Sequence, residues 1–144
     1  MVVREAEGGD YEAIIALLDA ARLPTRDLTA AAIEVFLVAS DAHELLGAIA
    51  LWDYGDVGRV RSLVVKPGRR GAGVGTALVA AVEQRARDAG IATLVLLTET
   101  AMNFFGALGY AMRQREHAPV AVQASSEFAS VCPASAAYME KRLR

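Results

Sequence analysis

Apolar positions along the chain fall into blocks of two kinds, some alternating or continuous over a short span and others recurring every three or four residues. Residues 2–6 read as a short first strand. Asp10 can cap a helix that carries Ile14, Leu17, Leu18 and Ala21 on one side, and Leu23-Pro24-Thr25 ends it. Asp27 or Thr29 can cap a second, short helix through about Ile33. Residues 36–40 and 45–52 are apolar strands around a polar turn at 41–44. Residues 54–58 make a second turn, so two antiparallel hairpins are expected in a row. A strand at 60–65 leads into a glycine-rich turn, and a helix at 74–89 leaves it, with Gly90 as its closing residue. Residues 93–98 are almost continuously apolar, as in a buried central strand. A short helix at 101–108 is stopped by Gly109, and 110–115 reads as another strand. Residues 116–135, with Pro119 and Pro133, read as a long functional or capping segment with room for a short helix. Residues 136–143 form the last strand. With no repeat, linker or low-complexity tract, the pattern predicts one domain over residues 1–144.

The turn carries the first chemistry. Val64-Val65-Lys66-Pro67 is followed by glycines on alternate positions, Gly71, Gly73 and Gly75, and then by a helix with Leu78, Ala81, Val82 and Ala86. A helix start leaves its first N–H groups unpaired and adds partial positive charge. Glycines remove the Cβ atoms that would hold an anion off those donors. Arg69 and Arg70 add full charge at the mouth, so the stretch predicts a phosphate or pyrophosphate cradle. The bland reading, a tight connection needing one left-handed glycine, does not account for the glycines and arginines together. There is no Gly-Lys-Ser/Thr of a nucleotide P-loop. The dinucleotide pattern Gly-x-Gly-x-x-Gly also fails, since Leu78 or Thr76 stands where its last glycine would be.

Composition narrows the class. The chain has 144 residues, 54% of them hydrophobic, which suits a core large enough to fold alone. The net charge of −2 gives no bulk attraction for nucleic acid, and the 15 basic residues are almost all arginine, Lys66 and Lys141 being the lysines. Cys132 is the single cysteine, so no internal disulfide is available. Residues 1–7 do not resemble a signal peptide, and no uncharged apolar run reaches the ~18 residues of a membrane helix. A soluble cytoplasmic protein is expected, with neither nucleic acid nor membrane as partner and no metal site.

Taken together, these motifs resemble the GNAT superfamily of N-acetyltransferases. The pyrophosphate motif of that family, Arg/Gln-x-x-Gly-x-Gly/Ala, is matched by Arg70-Gly71-Ala72-Gly73-Val74-Gly75, and Leu63-Val64-Val65-Lys66-Pro67 is similar to its Leu-x-Val-x-Pro strand. The segment Ala101-Met102-Asn103-Phe104-Phe105-Gly106-Ala107-Leu108-Gly109-Tyr110 is similar to its Ala-x-x-Phe-Tyr-x-x-x-Gly-Phe. The resemblance implies an α/β GNAT fold, a mixed, mostly antiparallel sheet of six or seven strands with about four helices, splayed at the central strands. It implies acetyl-CoA as cofactor. The backbone of Leu63, Val64 and Val65 would hold the pantetheine arm, and the amides of Gly71, Ala72, Gly73, Val74, Gly75 and Thr76, with Arg70, the pyrophosphate. A backbone N–H near Leu63 would polarise the thioester carbonyl. Two departures stand out. The tyrosine that often protonates the leaving thiolate falls on Phe105, which can only pack, and the asparagine that often precedes that helix falls on Thr98. A narrower likeness, carried by Leu23-Pro24-Thr25-x-Asp27-Leu28, by residues 96–100 and by residues 126–136, is to the ArsN-type acetyltransferases of arsenic-resistance operons. It implies a small amino-acid-like acceptor, although a single cysteine cannot build a multi-thiolate arsenite site.

Transfer to an amine needs a group that takes the amine proton. Glu99 is the catalytic candidate, against a plain role as a carboxylate favoured by a helix start. His117, after the strand at 110–115, is a second candidate base that reads more simply as an ordinary loop histidine, and His43 sits in a hairpin turn away from the cleft. Arg61 is either a fork for an acceptor carboxylate or a solvated strand-end arginine. Thr25 and Arg26 fall where the family covers its acceptor, and Ser126, Glu127 and Cys132 are placed on the other side of that cleft, Cys132 more simply as a small buried thiol. Trp52 and Tyr54 are expected to pack at a strand end. The expected activity is acetyl transfer to a primary amine of a small molecule, with a homodimer left open. A catalytically silent CoA-binding sensor and a protein N-acetylating enzyme are the alternatives.

Overall fold

A computed structural model describes residues 1–42, 44–125, 128 and 135–144. Seven strands form one sheet: β1 (Val2–Glu5), β2 (Phe36–Asp41), β3 (Glu44–Asp53), β4 (Val57–Val65), β5 (Thr93–Thr98), β6 (Ala111–Arg113) and β7 (Ala137–Arg142). Their order across the sheet is β1-β2-β3-β4-β5-β7-β6, and β4–β5 is the one parallel pair among the described residues. Among the described residues four α-helices accompany them: α1 (Tyr11–Ala20), α2 (Val74–Asp88), α3 (Met102–Ala107) and α4 (Val120–Gln123). This is the α/β architecture that the resemblance implied, mixed and mostly antiparallel, with the expected numbers of strands and helices among the described residues.

Each face of the sheet carries its own core. On one side Val79, Val82 and Ala86 of α2 meet Leu37, Ile49, Val60 and Leu94, with Phe105 and Met139 completing the layer. On the other, Ile14 and Leu18 of α1 meet Phe36, Val38, Ala48 and Val64. Alternation along β3 and β4 sends successive residues to opposite faces, which is why both helices find an apolar floor. Farther along the α1 side, Val95, Val122 and Tyr138 make a third cluster under α4.

Several boundaries differ from those read in the sequence. The strand expected at 60–65 begins at Val57, because Tyr54 N–H reaches Val57 O (2.9 Å) and closes the turn earlier. The second helix is a 3₁₀ segment, Ala30–Val35, and neither Asp27 nor Thr29 caps it through its side chain. Asp10 does not cap α1 either; it accepts from the Glu7 amide and from Arg4, both at 2.8 Å, within a 3₁₀ turn, Gly8–Asp10. The strand expected at 110–115 shrinks to β6, since Arg115–His117 forms a 3₁₀ turn. Among the described residues no helix is long and apolar enough to cross a membrane.

Candidate active site

β4 and β5 start together and then part. Their ladder pairs Val57 with Thr93, Gly58 with Leu94 and Arg59 with Val95, and goes no further. Beyond Arg59, β4 stays on β3 but bulges: Ala50 faces Arg61 and Ala48 faces Val64, so Ser62 and Leu63 together oppose Ile49. Ser62 takes a left-handed φ of 63° there, an uncommon state for a residue with a Cβ. The divergence opens a cleft of about 900 Å³, whose walls include β4 residues 60–65, β5 residues 96–98 and the glycine turn.

The turn is shaped by backbone that only glycine adopts readily. Gly71 and Gly73 have φ of 83° and 84°, and a Cβ added to either would meet nothing within 4 Å. Their conformation, not crowding by the protein, demands glycine, and the space a Cβ would occupy is open. Gly73 is the residue before α2, with no side-chain cap, and the first helical bond is Ala77 N–H to Gly73 O at 3.0 Å. The amides of Val74, Gly75 and Thr76 therefore precede the helical ladder and are left for another acceptor. Gly75 has a different reason: a Cβ there would stand 3.3 Å from Phe104 Cζ and 3.6 Å from Val65 Cγ2, so its smallness lets α3 close on α2. Arg70 is exposed, and its side chain has no bond or ion pair among the described residues. Lys66 (2.9 Å) and Arg69 (3.7 Å) both face Glu44, whose carboxyl the Lys66 hydrogen bond holds below the usual range. Open left-handed glycines, uncapped helix amides and adjacent arginines fit a pyrophosphate group.

Of the residues singled out from sequence, Leu63, Val64, Val65, Arg70, Gly71, Gly73, Gly75, Thr76, Thr98, Glu99, Phe105 and Arg61 line this one cleft. Ala72 and Val74 do not; Val74 sends its side chain into the core, which leaves its amide as what it can offer. Thr98 Oγ accepts the Ala101 amide (3.0 Å) and fixes the turn into α3. Phe105 packs edge-on between Phe104 (5.2 Å) and Tyr110 (5.3 Å). Hydroxyl-bearing residues of the cleft wall are Thr76, Thr98 and Thr100, while the hydroxyl of Ser62 is buried and has no hydrogen-bond partner among the described residues. The buried tyrosines nearby are committed elsewhere. Tyr110 donates to Glu83 (2.9 Å), which Lys141 also holds (3.0 Å), and Tyr138 donates to Glu140 (2.6 Å). Burial first, and the carboxylate partner after it, pushes both phenols far above their ordinary value, so they stay neutral.

Three expectations need correction. Arg61 is neither solvated nor open to a carboxylate: its guanidinium is buried and forks onto Asp27 (2.6 and 2.5 Å), with a further bond to Pro24 O (3.2 Å). Thr25 does not line the cleft, because its hydroxyl turns back to Asp19 (2.8 Å) at the end of α1. Arg26 is exposed and likewise off the cleft wall; its neighbours Arg22, Leu23 and Pro24 line it instead. His117 sits on an exposed turn outside the cleft. Ser126, Glu127, Cys132 and His43 lie outside the described residues. Trp52 does pack at a strand end, and it lies under two guanidinium groups, Arg59 at 4.8 Å and Arg61 at 5.7 Å, with Tyr54 OH accepting from Arg59 (3.4 Å). Phe104 was not singled out from sequence. Its signal was the small Gly75, whose need for a bulky neighbour shows only once α3 is folded against α2.

A family model described as "Acetyltransferase (GNAT) family" matches residues 5–110. The fold is similar to N-acetylglutamate synthase of Neisseria gonorrhoeae, solved with coenzyme A and L-arginine, at a TM-score of 0.86 and 24% identity over 99% of this chain. This chain spans only 33% of the length of that enzyme. It is similar over 100% of both chains to Rv2747 of Mycobacterium tuberculosis, solved with CoA and NLQ, at a TM-score of 0.85 and 24% identity. An aminoglycoside 6'-N-acetyltransferase complexed with coenzyme A matches at a TM-score of 0.71 and 20% identity, over 100% of this chain and 98% of that one. Comparison with curated protein sequences finds no match.

Proposed function

The chain belongs to the GNAT acetyltransferase family, and from that premise we propose that it moves an acetyl group directly from acetyl-CoA to the primary amine of a small, amino-acid-like acceptor. One observation carries the reading: the glycine turn and the divergent β4 and β5 open onto the same cleft. Acetyl-CoA supplies an activated acyl thioester. The amides that open α2, with Arg70, hold its pyrophosphate, and the backbone of β4 residues 63–65, released from β5, holds the arm. An amide near Leu63, beside the bulge, would polarise the thioester carbonyl as negative charge grows on its oxygen. Glu99, exposed on the cleft wall at the end of β5, takes the amine proton.

The ArsN-type specificity is the finer proposal. Two stretches that carry that likeness border the cleft, through Leu23 and Pro24 and through residues 96–100, and Asp27 of the first anchors Arg61. Phe105 favours a second reading, a CoA-binding sensor without catalysis, because it leaves the acid position without a hydroxyl. Thiol release from acetyl-CoA over a panel of amino acids and peptides separates the readings. Release with free amino acids supports small-molecule transfer, whereas release with peptides alone points to protein acetylation. Cofactor binding without turnover on any amine points to the sensor. In Glu99→Gln, turnover should fall about 10²-fold or more with acetyl-CoA affinity kept. A pH–rate profile unchanged in that variant removes Glu99 from the role.

A further inference from the structure

We propose that Arg22 recognises an anionic group of the acceptor, in its simplest form the carboxylate of an α-amino acid; this deepens the acetyl-transfer reading and rests on it. Arg22 closes α1. Its amide bonds Asp19 O (3.0 Å), and the next amide, of Leu23, reaches back to Leu18 O (2.9 Å). This is the left-handed helix ending that glycine normally fills, yet an arginine stands here at φ 59°. Among the described residues three that are not glycine have positive φ, namely Arg22, Ala42 and Ser62. Ala42 lies in the turn between β2 and β3, while Arg22 and Ser62 both line the cleft. A strained residue retained on the wall of a functional cavity points to a use for its side chain.

Among the described residues, two of the other cations of the cleft are paired and the third sits at the glycine turn. Arg61 is forked onto Asp27, Arg69 faces Glu44, and Arg70 belongs to the glycine turn. The Arg22 side chain, like that of Arg70, has no bond or ion pair among the described residues, and it lies away from the glycine turn. It also comes from the other direction. α2 and the pyrophosphate turn lie on one face of the sheet, and α1 packs on the opposite face against Val38, Ala48 and Val64. A cation at the end of α1 therefore meets what enters from the acceptor side. Among the described residues, Glu99 is a carboxylate that lines the same cleft and has no bond or ion pair. An ammonium for Glu99 and a carboxylate for Arg22 describe a zwitterionic amino acid, not a polycationic amine.

Arg22→Gly tests this without a folding penalty, because glycine relieves the left-handed strain and should leave the unfolding midpoint equal or higher. The protein amino acids are titrated singly into wild type and variant saturated with CoA. Each that binds is compared with the amine that lacks its α-carboxylate, and both are assayed with acetyl-CoA. Wild type should prefer the carboxylate-bearing member. Arg22→Gly should raise its Kd and KM about ten- to a hundredfold, with kcat, CoA affinity and the decarboxylated amine changed by no more than about twofold. Arg22→Lys should fall between them. An equal loss for both members, a loss of CoA affinity, no change, or no amino acid bound by wild type overturns the assignment. If amino acids bind through Arg22 and CoA binds but nothing is acetylated, the acetyl-transfer reading fails while the anion site stands.

Discussion

Gly73 is the residue whose replacement says most about the donor site. Its φ of 84° is required to turn the chain into α2, and its missing Cβ leaves open space where the first helical amides point. Alanine there meets no neighbour, so Gly73→Ala should cost only the left-handed penalty, about 1 kcal/mol of stability. Gly73→Glu adds to that a side chain and a negative charge at an anion cradle. Its acetyl-CoA Kd should rise at least about 100-fold while the circular dichroism spectrum remains native. Calorimetric titration of both variants checks this; a Gly73→Glu protein that binds acetyl-CoA like wild type would remove the cradle assignment. The left-handed glycine turn was legible in the sequence because everything that makes it lies within a few adjacent positions, from Arg69 to Thr76. Arg61 was not, because the residue that occupies its fork, Asp27, lies 34 positions away. A guanidinium reads the same in sequence whether its partner is a substrate or a distant aspartate.

At the scale of elements, the connection between α1 and β2 is held to β4 by that ion pair and by Pro24 O. The Arg61 side chain is 2% exposed and that of Asp27 14%, so removing the carboxylate strands a buried cation. Asp27→Ala should lower the unfolding free energy by about 3–5 kcal/mol, read by urea denaturation. Asp27→Asn keeps the shape and part of the hydrogen bonding and should cost less. Because Leu23 and Pro24 line the cleft, the same variants should raise KM for the acceptor more than for acetyl-CoA. A loss below about 1 kcal/mol in Asp27→Ala would mean that the pair behaves as a solvent-screened surface bridge. The elements themselves were legible from apolar periodicity, since every helix and strand expected from it is present in order. What the pattern missed were end effects. The 3₁₀ form of Ala30–Val35 and the early stop of β6 depend on hydrogen bonds made or lost at one or two backbone positions, and side-chain periodicity does not report those.

For the whole molecule, the decisive feature is that two adjacent parallel strands separate after three paired residues. Nothing in the apolar runs at 60–65 and 93–98 marks the separation, because each reads as a continuous strand; the expectation of a splay came with the family resemblance. Two glycines, Gly58 in β4 and Gly47 in β3 opposite the far end of β4, show how the divergence is built. Gly58 pairs with Leu94 at the closed end, where an added Cβ would stand 2.9 Å from Leu51 and 3.0 Å from Ile91 and Leu94. Those are the far ends of side chains, so Gly58→Ala should be overpacked by about 1–3 kcal/mol and yet leave the open arm of β4 where it is. Gly47 lies across from Val65 at the open end, and its added Cβ would stand 2.6 Å from the Val64 carbonyl oxygen, with Leu78 and Val74 at 3.1 and 3.2 Å behind it. A backbone carbonyl cannot rotate away as a methyl can, so β4 itself must shift, in the segment assigned to the arm of CoA. Gly47→Ala should thus weaken CoA binding about tenfold or more, whereas Gly58→Ala should change it by less than about threefold at a similar loss of stability. Thermal unfolding with and without CoA gives both quantities for each variant. If affinity falls in step with stability in the two proteins alike, β4 and β5 are not the independent arms that the divergent ladder describes.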